Sequence, residues 1–359
     1  MKYLFNKLKK INKVLFCVLN WGLGHASRST PVIEYLFSKG IQVVIASDGD
    51  ALLLLQQKFP KSKFIELPPY KIQYSKSSKT LPFKLLCQVP KLIRSIENEK
   101  NKIHSILDFN HDYDLIISDN RYGCYSSSIP SILICHQLNI KTPKALKWVN
   151  KINSNLLSKF NSIWLPDNEE NLSGELSSTR LKHTRIGLLS SYSKTETNKD
   201  IDFLIVLSGP EPQRSLLEIK LLQSIPTNSK SVMVRGTSIR SKISIEFEHY
   251  DLASQSTMND LLNRSKLVIS RSGYSSIMDY KTLGIPAILI PTPGQTEQEY
   301  LANHLDNNPQ FKTVNQKNIS NEMFNSTPVS NYKQQKGPIK LNEEALIKSL
   351  NNLGITTLT

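Results

Sequence analysis

The chain has 359 residues, 39% of them hydrophobic, enough for two cores of ordinary size. Its net charge of +15 points to anionic partners, but the lysines are scattered and neither an RNA-binding signature nor a zinc finger goes with them, so nucleic acid is set aside. No run of roughly 18 apolar residues offers a membrane span, no signal-peptide pattern is present, and Cys17, Cys87, Cys124 and Cys135 lack metal spacing, which reads as reduced thiols in a cytoplasmic protein.

Residues 14–19 form a short apolar run, as expected of a buried parallel strand. The loop Asn20-Trp21-Gly22-Leu23-Gly24-His25 follows, then a helix over about 26–39, a stop at Gly40 and a second buried strand at 41–46. That order predicts a βαβ unit. Further strands are predicted at 63–67, 114–118, 131–135 and 162–165, with a helical stretch over 81–107 broken near Pro90. The polar segment 187–200 reads as a linker.

The pattern then restarts, with strands at 203–207, 231–234, 267–270 and 286–290 and helices at 213–223, 258–264, 274–283 and 296–306. Residues 307–341 are rich in Asn, Lys, Gln and Ser and read as loop, and a last amphipathic helix is predicted near 342–352. The expected architecture is α/β, with two successive doubly wound units: an N-terminal domain 1–188, a C-terminal domain 189–340, and a C-terminal helix and tail 341–359.

The segment 267–304 is the most informative. A buried strand ends in Ser270-Arg271-Ser272-Gly273, whose small residues let backbone approach a ligand closely. The helix that starts near Tyr274 has unpaired first N–H groups and a dipole that favours an anion, a place for a diphosphate. Ser275 lies in its first turn, and Ser276 and Asp279, three apart, share one face. An acid there suits the two hydroxyls of a ribose. After the next strand, Pro291 opens a polar loop containing Gln295, Glu297, Gln298 and Glu299, side chains suited to sugar hydroxyls.

Ser270–Gly273 through Asp279, Gly284-Ile285-Pro286 and Pro291 through Gln298-Glu299-Tyr300 closely resemble the donor-site signature of glycosyltransferase family 28, the MurG-like group. The resemblance implies the GT-B fold: two Rossmann-like domains facing across a cleft. It puts Asp279 at the family's ribose-binding Glu, and Gln298 and Glu299 at its paired sugar-binding Gln residues, Glu299 being a departure. It puts Met258, taken to precede a helix, near the uracil pocket. Ser208-Gly209 matches a glycine loop beside the diphosphate, with Pro210 and Glu211 as departures.

In the N-terminal half, Gly22 and Gly24 do not complete a dinucleotide fingerprint, because Ser27 stands at the third glycine position. Gly24-His25 matches the family's glycine loop ending in His. His25 is a candidate to deprotonate or position an acceptor hydroxyl, or to contact the diphosphate. Asp119-Asn120-Arg121-Tyr122-Gly123 resembles a second acceptor-side loop, with Asp119 an alternative base or a turn cap. His136 and Asn139 match a third motif, in which Gln137 replaces an acid.

The resulting expectation is an inverting transfer from a nucleotide-sugar, most simply a UDP-sugar, to a lipid or glycan acceptor, with no metal and no cofactor beyond the substrate. Two segments, 2–13 with Leu4, Phe5, Leu8 and Ile11 among lysines, and 81–96 with Lys84, Lys91 and Arg94, suggest peripheral contact with an anionic membrane, at its inner face. The alternatives are a UDP-sugar 2-epimerase on the same architecture and a binding protein that has lost catalysis.

Overall fold

The computed structural model describes residues 8–70, 89–142, 148–238, 241, 244–325 and 341–357. They pack as two compact units. The first holds the described residues up to Ser191 together with those from 341 onward, and the second runs from Tyr192 to 325. The division falls within the polar segment 187–200, which has no regular secondary structure.

The first unit opens with β1 (Lys9–Lys10) and β2 (Lys13–Val18). Then come α1 (Leu23–Ser38), β3 (Gln42–Ser47), α2 (Gly49–Lys58), β4 (Lys63–Glu66) and α3 (Val89–Phe109). It continues through β5 (Leu115–Asp119), β6 (Ser131–Ile134), α4 (Trp148–Leu157), β7 (Ser162–Leu165) and β8 (Thr184–Arg185). The sheet order is β4-β3-β2-β5-β6-β7-β8, with every neighbouring pair parallel. Val14 to Val18 and Leu115 to Ile117 are fully buried, as central strands covered on both faces must be.

The second unit holds β9 (Ile201–Val206), α5 (Gln213–Leu222), β10 (Ser231–Val234), β11 (His249–Tyr250), α6 (Gln255–Arg264) and β12 (Ser265–Ser270). α7 (Tyr274–Leu283), β13 (Ala287–Leu289), α8 (Thr296–Leu305) and β14 (Phe311–Thr313) complete it. Its parallel sheet runs β11-β10-β9-β12-β13-β14. Ile205, Met233, Leu267, Ile269 and Ile288 fill the core beside Leu217 and Leu221 of α5.

Three sequence expectations change. Within the supposed loop 307–341 lie β14 and short turns that carry Met323 and Phe324 into the core, while 326–340 falls outside the described residues. α3 begins at Val89 with Pro90 in its first turn, where a missing N–H costs nothing, and residues 81–88 of the expected helical stretch are outside the described residues. Met258 sits within α6 rather than before it, because Ser254 caps the helix by accepting from the Thr257 N–H at 3.1 Å. The basic segment 2–13 is no surface helix where described: Lys9–Lys10 and Lys13 are in strands and Ile11 is core.

The C-terminal segment belongs to the first unit. α9 (Glu343–Asn351) buries Leu346 and Leu350, and Ser349 accepts from the Trp164 indole N–H at 2.8 Å. β15 (Ile355–Thr356) pairs in parallel with β1. Among the described residues no helix is long and apolar enough to cross a membrane. Cys17, Cys124 and Cys135 are free and buried, and Cys87 lies outside the described residues. Leu350→Ala empties a buried site next to the first sheet, so it should cost about 2–5 kcal/mol in a urea melt; an unchanged midpoint would show that the helix is dispensable.

Candidate functional site

Each sheet has one place where the chain reverses its direction of growth. In the first, β2 leads outward to β3 and β4, and the chain then returns to lay β5 on the other side of β2. In the second, β9 leads to β10 and β11, and the return strand β12 lies against β9. Parallel sheets bind ligands beyond the carboxyl ends of the strands at such switch points, where the flanking loops part. The predicted acceptor and donor motifs fall at these two points: Gly22–His25 after β2 and Asp119–Asn120 at β5, then Gly209 after β9 and Arg271–Ser276 after β12.

In the first unit Gly22 holds φ +78° at the head of α1, a conformation costly for any residue with a Cβ. One turn later His25 aims Nδ1 at Asp119 Oδ1, 2.9 Å away. Asp119 is wholly buried. Its carboxylate also accepts from Arg28 Nε at 2.8 Å, Ser29 Oγ at 2.9 Å and Arg28 Nη2. Burial alone would raise this acid, but the charges and hydrogen bonds of Arg28 and His25 override it and hold the carboxyl well below the usual carboxylate range. Burial, and then the Arg28 charge, push the His25 imidazole below 6.5 against the pull of Asp119. The His25 side chain keeps 14% exposure, whereas Asp119 has none. Asp119 therefore stands behind His25, with its lone pairs engaged, rather than beside a bound hydroxyl.

The other acceptor-side residues divide. His136 joins the cluster, its Nδ1 3.2 Å from Arg28 Nη1. Asn120 sits in the left-handed region at φ 55°, and its buried Oδ1 has no hydrogen-bond partner among the described residues. Asn139 is turned to structure: its amide donates to the Glu175 carbonyl at 3.1 Å, and its N–H to that of Leu176 at 2.8 Å. Gly24 lies in the first turn of α1, partly exposed. Arg121, which the sequence reading passed over, is buried among Glu99, Asp48 and the carbonyls of Val18 and Pro68. Glu99 in turn accepts from Tyr70 and from the Gly123 N–H, both at 2.7 Å. This network pins the loop after β5 to α3.

In the second unit Gly209 has φ +96°, and a Cβ added at Gly209 or Gly273 would meet no atom within 4 Å. Gly273 heads α7 without a side-chain cap, and no acid occupies the first turn. The helix terminus thus presents N–H groups and a positive dipole end beside open space. Gly273, Ser275, Ser276 and Asp279 are partly exposed, while Tyr274, Ile277, Met278 and Tyr280 are buried, so the four share the outward face. Burial, and then the Asp279 charge, raise the Tyr192 phenol well above its ordinary range.

Three of the proposed donor contacts point into the protein instead. Arg271 is buried and donates to Gln316 Oε1 at 2.8 Å, to the Gln213 carbonyl at 2.8 Å and to the Pro291 carbonyl at 3.2 Å. Burial draws its guanidinium down to about 10. Ser272 donates to the Gln298 carbonyl at 2.9 Å. Gln298 is itself buried and accepts from the Thr292 N–H at 2.9 Å. Glu299 is exposed but accepts from the Gly294 N–H at 2.8 Å, closing the loop 292–295. Gln295 caps α8 by position and is partly exposed, as is Met258. Sequence reasoning also missed the buried charges Arg214, Glu218 and Arg235 behind the glycine loop. The four-residue spacing of Arg214 and Glu218 was the available signal. Among the described residues no group of three or more His, Cys, Asp or Glu is arranged to hold a metal.

Arg271→Ala leaves Gln316 Oε1 and the Gln213 and Pro291 carbonyls without their donor and should cost the second unit about 3 kcal/mol, a loss seen in urea melts. Weaker nucleotide binding at unchanged stability would return Arg271 to the ligand. Acid sensitivity follows from Asp119. A carboxyl depressed in the folded state stabilises above the unfolded value of 3.8 and loses that contribution as pH falls below it. The stability gap between the wild-type protein and Asp119→Asn should therefore be widest near neutrality and shrink below about pH 4. A gap constant with pH would contradict the buried ion pair.

Residues 214–344 match the glycosyltransferase family 28 C-terminal domain. The chain is 22% identical over 327 residues to the UDP-N-acetylglucosamine–N-acetylmuramyl-(pentapeptide) pyrophosphoryl-undecaprenol N-acetylglucosamine transferase of Staphylococcus aureus (strain MRSA252), covering 84% of this chain and 86% of the relative. Among solved structures it is similar to the kitacinnamycin glycotransferase, with a TM-score of 0.60, 13% identity and 97% of each chain covered. It is also similar to the spinosyn rhamnosyltransferase SpnG complexed with thymidine diphosphate, with a TM-score of 0.58, 12% identity and 95% of each chain covered. With two Rossmann-like units and a match to the family 28 C-terminal domain on the second, the chain is a glycosyltransferase of the GT-B fold that resembles the MurG-like group.

Proposed function

We propose that the chain transfers a hexosyl or N-acetylhexosaminyl group from a UDP-sugar to a lipid or glycan acceptor of the cell envelope, with inversion and without a metal ion. The observation that carries this reading is the His25–Asp119 pair at the first switch point, 2.9 Å between Nδ1 and Oδ1. A carboxylate on Nδ1 orients the ring and leaves Nε2 to take a proton. On this reading the acceptor hydroxyl gives its proton to His25 Nε2, and its oxygen attacks the anomeric carbon. The bond to the diphosphate breaks, and the electron pair leaves with the phosphate oxygen. The N–H groups at the head of α7, about Gly273 to Ser276, stabilise that charge. Asp279 accepts from the ribose hydroxyls. Asn120 Oδ1 is a ready acceptor for a second hydroxyl.

The S. aureus relative's name specifies N-acetylglucosamine and an undecaprenol-linked acceptor, which supports the sugar and acceptor classes. On this reading the protein works at the cytoplasmic face of the membrane. Lys91 and Arg94 on α3, beside the exposed Ile93, suit contact with anionic lipid. The nucleotide-sugar is a substrate, and no cofactor is required.

The test is turnover of UDP-sugars against a panel of lipid and glycan acceptors. His25→Ala should lower kcat by about 100-fold or more. Asp279→Ala should raise the donor KM roughly 10- to 100-fold, the worth of hydrogen bonds to a charged group. Full activity in both variants would refute the site. Because His25 titrates below 6.5, kcat should fall as pH drops under that value and be level near 7. Conversion of UDP-N-acetylglucosamine with no acceptor present would instead identify an epimerase.

A further inference from the structure

We propose that Arg28 is a positioning residue of the transfer site: lying between Asp119 and His136, its guanidinium imposes opposite tautomers on two histidines, making His25 Nε2 an acceptor and His136 Nε2 a donor. The inference rests on the reading of His25 as the base.

The argument is one of donors and acceptors. A guanidinium only donates. Arg28 Nη1 lies 3.2 Å from His136 Nδ1, so that nitrogen has to accept. A neutral imidazole that accepts at Nδ1 carries its proton on Nε2. Asp119, held ionised, only accepts. His25 Nδ1, 2.9 Å from Oδ1, therefore donates, and its lone pair is on Nε2. Arg28 sets the His136 state directly and the His25 state through Asp119, whose charge it holds. Its Nε and Nη2 take the Asp119 carboxylate, while Nη1 takes His136. Arg28, Asp119 and His136 are 2%, 0% and 6% exposed, so bulk water is not at hand to exchange these bonds. The planar fork has the three donors this needs, and an ammonium on a single point does not.

The consequence is chemical. Two imidazoles of equal intrinsic basicity are given different work within one cluster: one takes a proton and the other offers an N–H bond. Without the Arg28 fork, the hydrogen bond that keeps the His136 proton off Nδ1 is gone.

The experiment uses the full-length chain labelled with 15N-histidine at pH 7.5. Long-range 1H–15N correlations distinguish Nδ1–H from Nε2–H at each ring, and His25→Gln and His136→Gln assign the signals. The expected wild-type result is Nδ1–H at His25 and Nε2–H at His136. In Arg28→Lys, which keeps the charge but not the fork, His25 should stay Nδ1–H while His136 becomes a mixture. Finding His136 as Nδ1–H or doubly protonated in the wild-type protein overturns the proposal, as does a single unchanged tautomer in a folded Arg28→Lys. The wild-type spectrum decides even if the variant does not fold. The readout needs no turnover. The expected tautomers without sugar transfer would remove the functional reading alone, and turnover with His136 as Nδ1–H would remove this inference alone.

Discussion

A carboxylate buried at the end of a central strand is the constraint on which the first unit turns. An unpaired ion in such a place is prohibitive, since even after relaxation the desolvation cost is several kcal/mol. Asp119 tolerates it because Arg28, His25 and Ser29 of α1 satisfy both oxygens. The same bonds that satisfy the charge fix the roll and height of α1 over β5. They thereby fix the glycine loop at its head. On the proposed reading, the catalytic geometry and the folding requirement are one set of contacts.

On the proposed reading, the second unit solves the opposite problem. A diphosphate brings its own negative charge, so the place for it has to be empty of acids and lined with donors. The head of α7 meets this with backbone alone. Arg271, a cation in the very motif that marks the site, is spent on the carbonyls of Gln213 and Pro291 and on Gln316. Its work is to hold the ends of β12 and β13 and the start of α5 together, and so to keep the helix terminus where it is.

The two-domain α/β plan was legible because parallel strands buried on both faces leave continuous apolar runs, as at 14–18 and 267–269. β14 was not legible, since three residues between polar turns carry no period. The motif positions were legible from glycine spacing and order. The direction of each side chain was not. Arg271, Ser272 and Gln298 look alike to Ser275 and Asp279 in a sequence, and only burial separates them. Arg28 escaped notice although it stands three residues after His25, one helical turn along the same face. The sequence does not say that Asp119, 91 positions away, is what that face meets.

The departures from the family pattern raised the reading of a protein that had lost catalysis. The structure gives two of them work within their own unit. Glu211 accepts from Arg214 Nε at 2.6 Å and from Ser215 Oγ at 3.0 Å, and hydrogen bonds from these groups hold it ionised against its partial burial. It thus anchors the first turn of α5 directly behind Gly209. Glu299 closes the loop 292–295 through the Gly294 N–H, as buried Gln298 does through that of Thr292. On the proposed reading these two side chains act on a bound sugar through the shape of the loop they hold. A glutamate there then changes which sugar fits without removing the chemistry, because the proton acceptor and the diphosphate donors lie elsewhere, in His25 and at the head of α7.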